Sequence, residues 1–166
     1  MEGLGRLFDV AIGTVPADSV AGALTGKRVS LRNASGCTIV VTTTGASTDV
    51  LDVDLQQHTA SSGGTTADLD IIDHYYYKSA ATLANTEAWT KGTQTAASEI
   101  NNVGAASQEL LLVIEVEASK LSDGYEYISL DVPDQGTNAT KYTSVIYLLR
   151  DLTVQRAPAN LAVPLS

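Results

Sequence analysis

The chain lacks several residues and segments on which whole classes of protein depend. Its single cysteine, Cys37, rules out an intrachain disulfide and a cysteine-based zinc site. Its apolar runs, such as residues 110–114, are far shorter than the roughly 20 residues that cross a bilayer. The first residues also lack the basic segment and apolar core of a signal peptide, so we expect synthesis in a cytoplasm and no membrane partner.

Positive charge is scarce as well. The 166 residues include 10 Lys and Arg against 19 Asp and Glu, which gives a formal net charge of -9. Such a chain repels polyanions and gains nothing from releasing the counterions of a nucleic acid, so we expect no direct nucleic-acid partner. Charged residues make up only 17% of the chain, so Thr, Ser, Asn and Gln must supply much of the polar surface, as is common in β-rich proteins.

Alternating polar and apolar residues are the dominant pattern that is present. In the run "LDVDL", Leu51, Val53 and Leu55 fall on one face of a strand and Asp52 and Asp54 on the other. Other strand-like runs rich in β-branched and aromatic residues are residues 28–33, 37–44, 110–118, 125–132 and 141–152. The one stretch that favours a helical turn or two is residues 79–87.

These patterns predict one all-β domain, an antiparallel β-sandwich or jelly roll of about eight strands with extended N- and C-terminal arms. We expect an N-terminal arm over residues 1–24, a sandwich core over 25–155 and an extended C-terminal tail over 156–166. Pro158 and Pro164 deny that tail ladder hydrogen bonds. Its apolar residues in "NLAVPL" indicate that it docks on its own domain or on a neighbour.

The run "VDLQQHTASSGGTTADLDI" raises the question of a ligand site. It predicts a hairpin in which four aspartates share one face, namely Asp52, Asp54, Asp68 and Asp70. Like charges opposed in a sheet repel each other unless a cation or distance intervenes, so calcium binding is one interpretation. The spacing is not that of an EF-hand, and we favour solvated carboxylates in staggered register, with His58 on a flexible loop and no cofactor.

No catalytic motif accompanies the two histidines or the cysteine. There is no nucleophile elbow of the form G-x-S-x-G around any serine, and "SSGG" is not followed by the G-K-[ST] of a phosphate-binding loop. His58 and His74 lie in no recognisable signature, and Cys37 lies in the apolar run "CTIVV", where a buried hydrophobe is expected. We therefore expect that the protein is not an enzyme.

Four segments together resemble a family of small structural proteins of tailed bacteriophages that are often encoded near the capsid genes. They are "KRVSLRNASGCTIVVTTTG", "DVLDVDLQQHTASSGGTTADLDI", "LLLVIEVEASKLSDGYEYISLDV" and "SVIYLLRDL". The family pattern has a V-x-L-x-Q strand before a Ser/Gly loop, an I-E-V-x-A-x-x-L strand with a following G-[FY] turn, and an end rich in Pro and Ala. Here these features correspond to residues 53–57, 114–121 with 124–125, and 156–166. His58 and the longer "ASSGGTTA" loop depart from the pattern.

The resemblance implies a virion structural protein, and within that class we expect a capsid decoration (cement) protein on the head surface. Its partners would be the major capsid protein and further copies of itself, as a trimer assembled in the host cytoplasm. Both arms would supply adhesive apolar residues: Leu4, Leu7, Phe8, Val10, Ile12, Leu161, Val163 and Leu165. Alternatives are a neck, tail or head-fibre component, or a carbohydrate- or receptor-binding module.

That module would use Trp89, Tyr75 and Tyr77 as a stacking platform, with calcium at the aspartate face. We expect instead that Trp89 lies in the core, where tryptophan is mostly buried. In "DHYYYK", strand spacing places Tyr75 and Tyr77 on one face and Tyr76 on the other, a pattern typical of packing.

Overall fold

The computed structural model describes residues 3–45 and 48–165. It is an all-β structure with 52% strand and two antiparallel sheets. The strands are β1 (Phe8–Asp18), β2 (Val29–Ser30), β3 (Ala34–Thr43), β4 (Leu51–His58), β5 (Thr66–Asp68), β6 (Ile72–Ala80), β7 (Thr90–Ala97), β8 (Glu99–Val103), β9 (Glu109–Glu117), β10 (Tyr127–Asp131) and β11 (Tyr142–Leu152). Two 3₁₀ turns span Ala118–Lys120 and Pro158–Asn160. Among the described residues, no helix has the length and apolar content needed to span a membrane.

The larger sheet has the order β1-β11-β3-β9-β6-β7, and the smaller sheet has the order β2-β10-β4-β5, with β8 also paired to β4. Successive strands alternate between the two sheets over much of the chain. This order is compatible with the predicted jelly roll, which winds one long antiparallel ribbon into two packed sheets. The β6–β7 hairpin extends the larger sheet beyond β9 and is additional to that winding.

The core lies between the two sheets and follows the period-two rule. In β4, Leu51, Val53 and Leu55 are buried, as predicted, and in β3 Ile39 and Val41 face them from the other sheet. Cys37 is buried in the same layer, and burial raises the pKa of its thiol to about 12. A thiol with that pKa is a small hydrophobe at neutral pH, as the sequence predicted for this position.

Strand β1 occupies 11 residues of the segment predicted as an N-terminal arm over residues 1–24, so the sandwich begins well before residue 25. Strand β1 pairs along its length with β11, with Ile12 opposite Ile146 and Asp18 opposite Tyr142. The glycines and polar residues of this segment hide the alternation of inward and outward residues that identifies a strand, because Gly13 occupies an inward position. An added Cβ there would lie 2.8 Å from the Tyr147 ring, so the chain needs glycine at this position to admit the tyrosine.

Residues 79–87 contain no helix. Ser79 and Ala80 complete strand β6, and the rest of the segment connects it to β7 without regular structure. Trp89 ends this connection and is 49% exposed, so the expectation of a core tryptophan is wrong.

Candidate docking surface

The two ends of the described chain meet at one corner of the sandwich. Residues 3–8 form a compact turn in which the Leu7 N–H donates to the Gly3 carbonyl at 2.8 Å. The Arg156 N–H then donates to the Gly5 carbonyl at 2.8 Å and joins the tail to that turn. Gly5 has a φ of +78°, and an added Cβ would lie 2.3 Å from the Arg156 carbonyl oxygen. Glycine is therefore required at position 5, because of the positive φ and because the Arg156 carbonyl lies so close to it.

This terminal corner carries exposed apolar side chains. Leu7 and Val163 are each 68% exposed, and Leu4 and Leu165 are also exposed, whereas Leu161 is half-buried against the body of the domain. Leucine and valine are costly to leave in contact with water, so this cluster makes the corner a candidate interaction surface. The structure thus brings together residues of two segments that are about 150 positions apart in the chain.

Strand β1 continues this surface from the corner along the edge of the larger sheet. Phe8, Val10 and Ile12 alternate with inward-facing residues and lie exposed on the outer face. The edge itself is partly closed, because the Gly13 carbonyl accepts a hydrogen bond from the Lys27 N–H and the Val10 N–H is bound by the Asp9 carboxylate. These two contacts reduce the number of backbone groups that the edge of β1 offers for strand pairing.

An apolar row crosses the outer face of the larger sheet, starting from β1. Ile12 lies opposite Ile146, and Ile146 lies opposite Val40. Val40 lies opposite Val113, which lies opposite Tyr76. Each pair sits on adjacent strands, so the row spans five strands and roughly 20 Å at the usual spacing of about 4.8 Å. We call the terminal corner, the outer residues of β1 and this apolar row the docking surface.

Charged residues border the row on the side of the corner. The Arg150 guanidinium binds Glu115 at 3.1 Å, Asp151 at 3.1 Å and Glu117 in a still closer contact. These ion pairs hold the pKa of Arg150 above its ordinary value, the Glu117 hydrogen bond being the largest cause. The apolar row is therefore bordered by a compact polar cluster, as is common at protein interfaces with an apolar centre.

The aspartate face of the β4–β5 hairpin is held together by hydrogen bonds. Asp68 lies opposite Gln56, so the carboxylates are staggered. The Gln56 amide donates to Asp54 at 2.5 Å and to Asp68 at 2.9 Å. Asp70 accepts from the Ser98 N–H at 2.9 Å, and Asp52 accepts from the Asn102 N–H at 2.6 Å. Within residues 3–45 and 48–165, no three His, Cys, Asp or Glu side chains are grouped to hold a metal ion.

His58 ends strand β4 and is only 4% exposed, so its predicted place on a flexible loop is wrong. Its Nδ1 lies 2.9 Å from the Thr66 hydroxyl, and its Nε2 lies 2.8 Å from the Ser129 hydroxyl. Arg28 covers the site by donating to the carbonyls of Ala60 and Gly63 at 2.7 Å. Burial, and then the charge of Arg28, lowers the pKa of His58 to about 4.

The contact between Ser129 and His58 has the length of a serine–histidine pair in a hydrolase. The surroundings differ, because Ser129 is 2% exposed and the second imidazole nitrogen faces a threonine hydroxyl instead of a carboxylate. In this conformation no substrate carbonyl can approach the Ser129 oxygen. The arrangement therefore serves to satisfy buried polar groups.

The three aromatic residues considered as a stacking platform do not share a face. Tyr77 pairs with Leu112 and points toward the inner layer, where its ring lies 6.1 Å from that of Tyr75. Trp89 lies instead beside Lys78, whose ammonium is 5.0 Å from the indole centroid. The predicted alternation of Tyr75 and Tyr77 against Tyr76 is confirmed, but a flat platform with Trp89 is not formed.

A cleft of about 670 Å³ lies between the start of β6 and the ends of β9 and β11. Its walls carry His74, Glu115, Glu117 and Arg150, and the His74 imidazole lies 2.5 Å from Asp73. The arginine and the histidine are thus both engaged with carboxylates. The lining therefore combines these paired charges with the apolar side chains of Ile71, Ile72 and Ala96, whereas small-molecule sites typically have mainly apolar walls with a few convergent polar groups.

Comparison with known proteins found no matching family model, no matching curated protein and no matching solved structure.

Proposed function

We propose that this chain is a virion structural protein without enzymatic activity, and specifically a capsid decoration protein that binds the outside of a bacteriophage head. It stabilises contacts between major capsid subunits and acts as a homo-oligomer, in our proposal a trimer, at the virion surface. The observation that carries the proposal is the docking surface, in which both chain ends and the larger sheet present apolar side chains on one continuous part of the domain. The bacteriophage resemblance of the sequence supplies the identity of the partner.

Physical considerations support a role in adhesion. Burying each exposed Leu, Val or Ile of the docking surface against a partner contributes roughly 1.5–3 kcal/mol before ordering costs. A capsid presents many identical sites, so modest individual contacts gain strength when a homo-oligomer engages several of them. The net charge of -9 keeps the free protein soluble and away from the packaged nucleic acid.

Binding to undecorated heads from the source of the gene tests the proposal. The purified chain is mixed with heads, the heads are sedimented and the bound chain is quantified. A corner variant, Leu7→Asp with Val163→Asp, and a row variant, Val113→Lys, are expected to weaken binding at least about tenfold, because each places a charge in a dry contact. The matched control is Thr95→Lys, an exposed strand substitution outside the docking surface, which is expected to bind like the wild type.

The outcomes discriminate among the alternatives. Equal binding by the wild type and both variants would contradict the proposed role of the docking surface in adhesion. Copy number in intact particles separates decoration from a neck, tail or head-fibre role, since a decoration protein occurs in numbers comparable to the major capsid protein and a neck or tail ring does not. Quantitative mass spectrometry of purified particles provides that number.

A further inference from the structure

The turn that precedes strand β10 contains the one Asp-Gly step of the sequence. Asp123 is followed by Gly124, and the sequence has no Asn-Gly step. The Tyr125 N–H donates to the Ser122 carbonyl at 3.0 Å and closes a β-turn with Asp123 and Gly124 at its centre. Gly124 has a φ of +82°, whereas Asp123 has a negative φ, as in a type II turn. A carboxylate and the N–H of a glycine are therefore neighbours at the tip of a turn.

Both of these groups are accessible and chemically unengaged. Asp123 and Gly124 are exposed. In the part of the chain that the structure describes, neither the Asp123 carboxylate nor the Gly124 N–H has a hydrogen-bond partner. An added Cβ at Gly124 would meet no atom within 4 Å, so the space beside this residue is open. The two groups belong to adjacent residues, so a reaction between them pays no entropy for bringing two molecules together.

We propose that Asp123 is a site of spontaneous backbone modification, at which aspartate isomerises to isoaspartate through a succinimide. The Gly124 nitrogen attacks Cγ of the protonated Asp123 carboxyl group. A bond forms between that nitrogen and Cγ, and one carboxyl oxygen leaves as water with the proton of the N–H and that of the carboxyl. Water then adds to the main-chain carbonyl carbon of the ring and breaks its bond to nitrogen. Gly124 is left attached through Cγ, beside a free α-carboxylate, with no net change in mass or oxidation state.

Other aspartates close to this turn in the sequence lack these features. Asp131 and Asp134 are followed by Val132 and Gln135, which carry side chains that crowd the backbone nitrogen. The N–H groups of Val132 and Gln135 each donate to a backbone carbonyl at 2.9 Å. Both residues are buried, so attack would require local unfolding. The structure therefore distinguishes Asp123 from aspartates only a few positions away.

The modification has a structural consequence because the turn is held at both ends by strand β4. The Ser122 N–H donates to the Gln57 side-chain carbonyl at 2.9 Å, and the Gln57 amide donates to the Ser122 hydroxyl at 2.9 Å. The Glu126 N–H donates to the His58 carbonyl at 3.1 Å. Isoaspartate adds one atom to the backbone between these anchors. We expect it to break the contacts of Ser122 and to leave the amide of Gln57, a buried residue, without a partner. The inference concerns the chain alone and holds whatever partner the docking surface binds.

Ageing of the purified, folded chain tests the proposal. The chain is kept at neutral pH and physiological temperature, and samples are digested with trypsin at intervals, with a fresh sample as the zero-time control. The tryptic peptide of residues 121–141 contains Asp123, Asp131 and Asp134, and electron-transfer fragmentation in a mass spectrometer locates isoaspartate within it. We expect isoaspartate to accumulate at position 123 at least about tenfold faster than at positions 131 and 134. Equal rates at the three positions, or none at position 123, would overturn the proposal.

A matched variant tests the structural consequence. Asp123→Glu keeps the charge but would need a six-membered ring, so we expect no isomer at position 123 after the same ageing. Urea unfolding of fresh and aged samples compares the two chains. The aged wild type is expected to unfold at a lower urea concentration in proportion to its isoaspartate content, whereas aged Asp123→Glu should unfold like the fresh chain. An aged wild type that contains isoaspartate and unfolds like the fresh one would contradict the predicted loss of the contacts between Ser122 and Gln57.

Discussion

The phenol oxygen of Tyr147 accepts a hydrogen bond of 2.9 Å from the backbone N–H of Leu130. Tyr147 belongs to β11 in the larger sheet and Leu130 to β10 in the smaller one, so this bond crosses the core. It is needed because β2 pairs with β10 only opposite Tyr127 and Ile128, and the ladder ends before Leu130. A buried N–H without a partner is costly, and here a side chain from the opposite sheet supplies the acceptor.

Tyr147→Phe is expected to lower the free energy of unfolding by about 1–3 kcal/mol, because it leaves the Leu130 N–H buried without an acceptor. Urea unfolding followed by circular dichroism measures the change. Tyr142→Phe, at an exposed position of the same strand, is the matched control and should change stability by less than about 0.5 kcal/mol. A Tyr147→Phe variant as stable as this control would show that the bond between the sheets contributes nothing.

Asp54→Asn is expected to stabilise the protein at neutral pH by about 0.2–1 kcal/mol, since Asp54 lies directly opposite both Asp131 and Glu99. Burial is the largest cause that raises the pKa of Asp54, and the charges of Asp68 and Glu99 add to it. A raised carboxyl pKa means that the folded state binds the proton more tightly. The stability that this tighter proton binding gives the folded state is fully present below the pKa that Asp54 has in the unfolded chain. It is lost as the pH rises through the pKa that Asp54 has in the folded chain.

The gain from Asp54→Asn should therefore vanish in acid, where Asp54 is protonated. Unfolding by urea at neutral and acidic pH tests this, and Asp123→Asn, in an exposed turn, controls for the change in net charge. Stabilisation of equal size at both pH values would show that repulsion at Asp54 is not its cause.

The strands and their buried faces were predictable because alternation records burial directly. Val53 and Leu55 of β4, and Leu112 and Ile114 of β9, face the core as the pattern indicates. Strand β1 was missed because its inward positions are small: Ala11 and Gly13 fill them, and its large residues point outward. A strand whose apolar residues lie on the exposed side looks like a loose apolar arm.

The docking surface was predictable only in part. The exposed Leu, Phe, Val and Ile of the two ends were singled out from the sequence, and the structure places them together. The apolar row was missed, because Val40, Val113 and Ile146 lie within runs that are apolar on both faces, where alternation carries no signal. His58 was also misplaced, because the hydroxyls that bury it come from Thr66 and Ser129, and no local pattern links them to position 58.

Calcium or EDTA is expected to leave the thermal unfolding temperature unchanged. One carboxylate oxygen each of Asp52, Asp54, Asp68 and Asp70 already accepts a hydrogen bond from an N–H group, so a cation that bound these oxygens would have to displace the donors. Differential scanning fluorimetry with and without millimolar calcium provides the measurement. A rise in unfolding temperature with calcium that disappears in Asp68→Asn would contradict this expectation and restore the metal interpretation.

Acidic pH is expected to lower the free energy of unfolding through the titration of His58. Its pKa in the folded chain is about 4, whereas an unfolded histidine titrates near 6.5. Between these values the unfolded chain binds a proton that the folded chain excludes. The contribution of neutral His58 to the free energy of unfolding is complete above about pH 6.5 and is lost as the pH falls toward 4. Its upper limit is about 3 kcal/mol, at 1.36 kcal/mol per pKa unit.

His58→Gln removes the titrating group while keeping an amide that can bond to Ser129. The difference in unfolding free energy between wild type and variant should be largest near neutral pH and should shrink at acidic pH. Comparing the two chains isolates His58, because Asp54 and Asp131, whose pKa values are raised chiefly by burial, act in the opposite direction equally in both. A difference that stays constant from neutral to acidic pH would mean that folded His58 accepts a proton as readily as the unfolded chain does. In that case the cover formed by Arg28 over the Ala60 and Gly63 carbonyls does not exclude water from the imidazole.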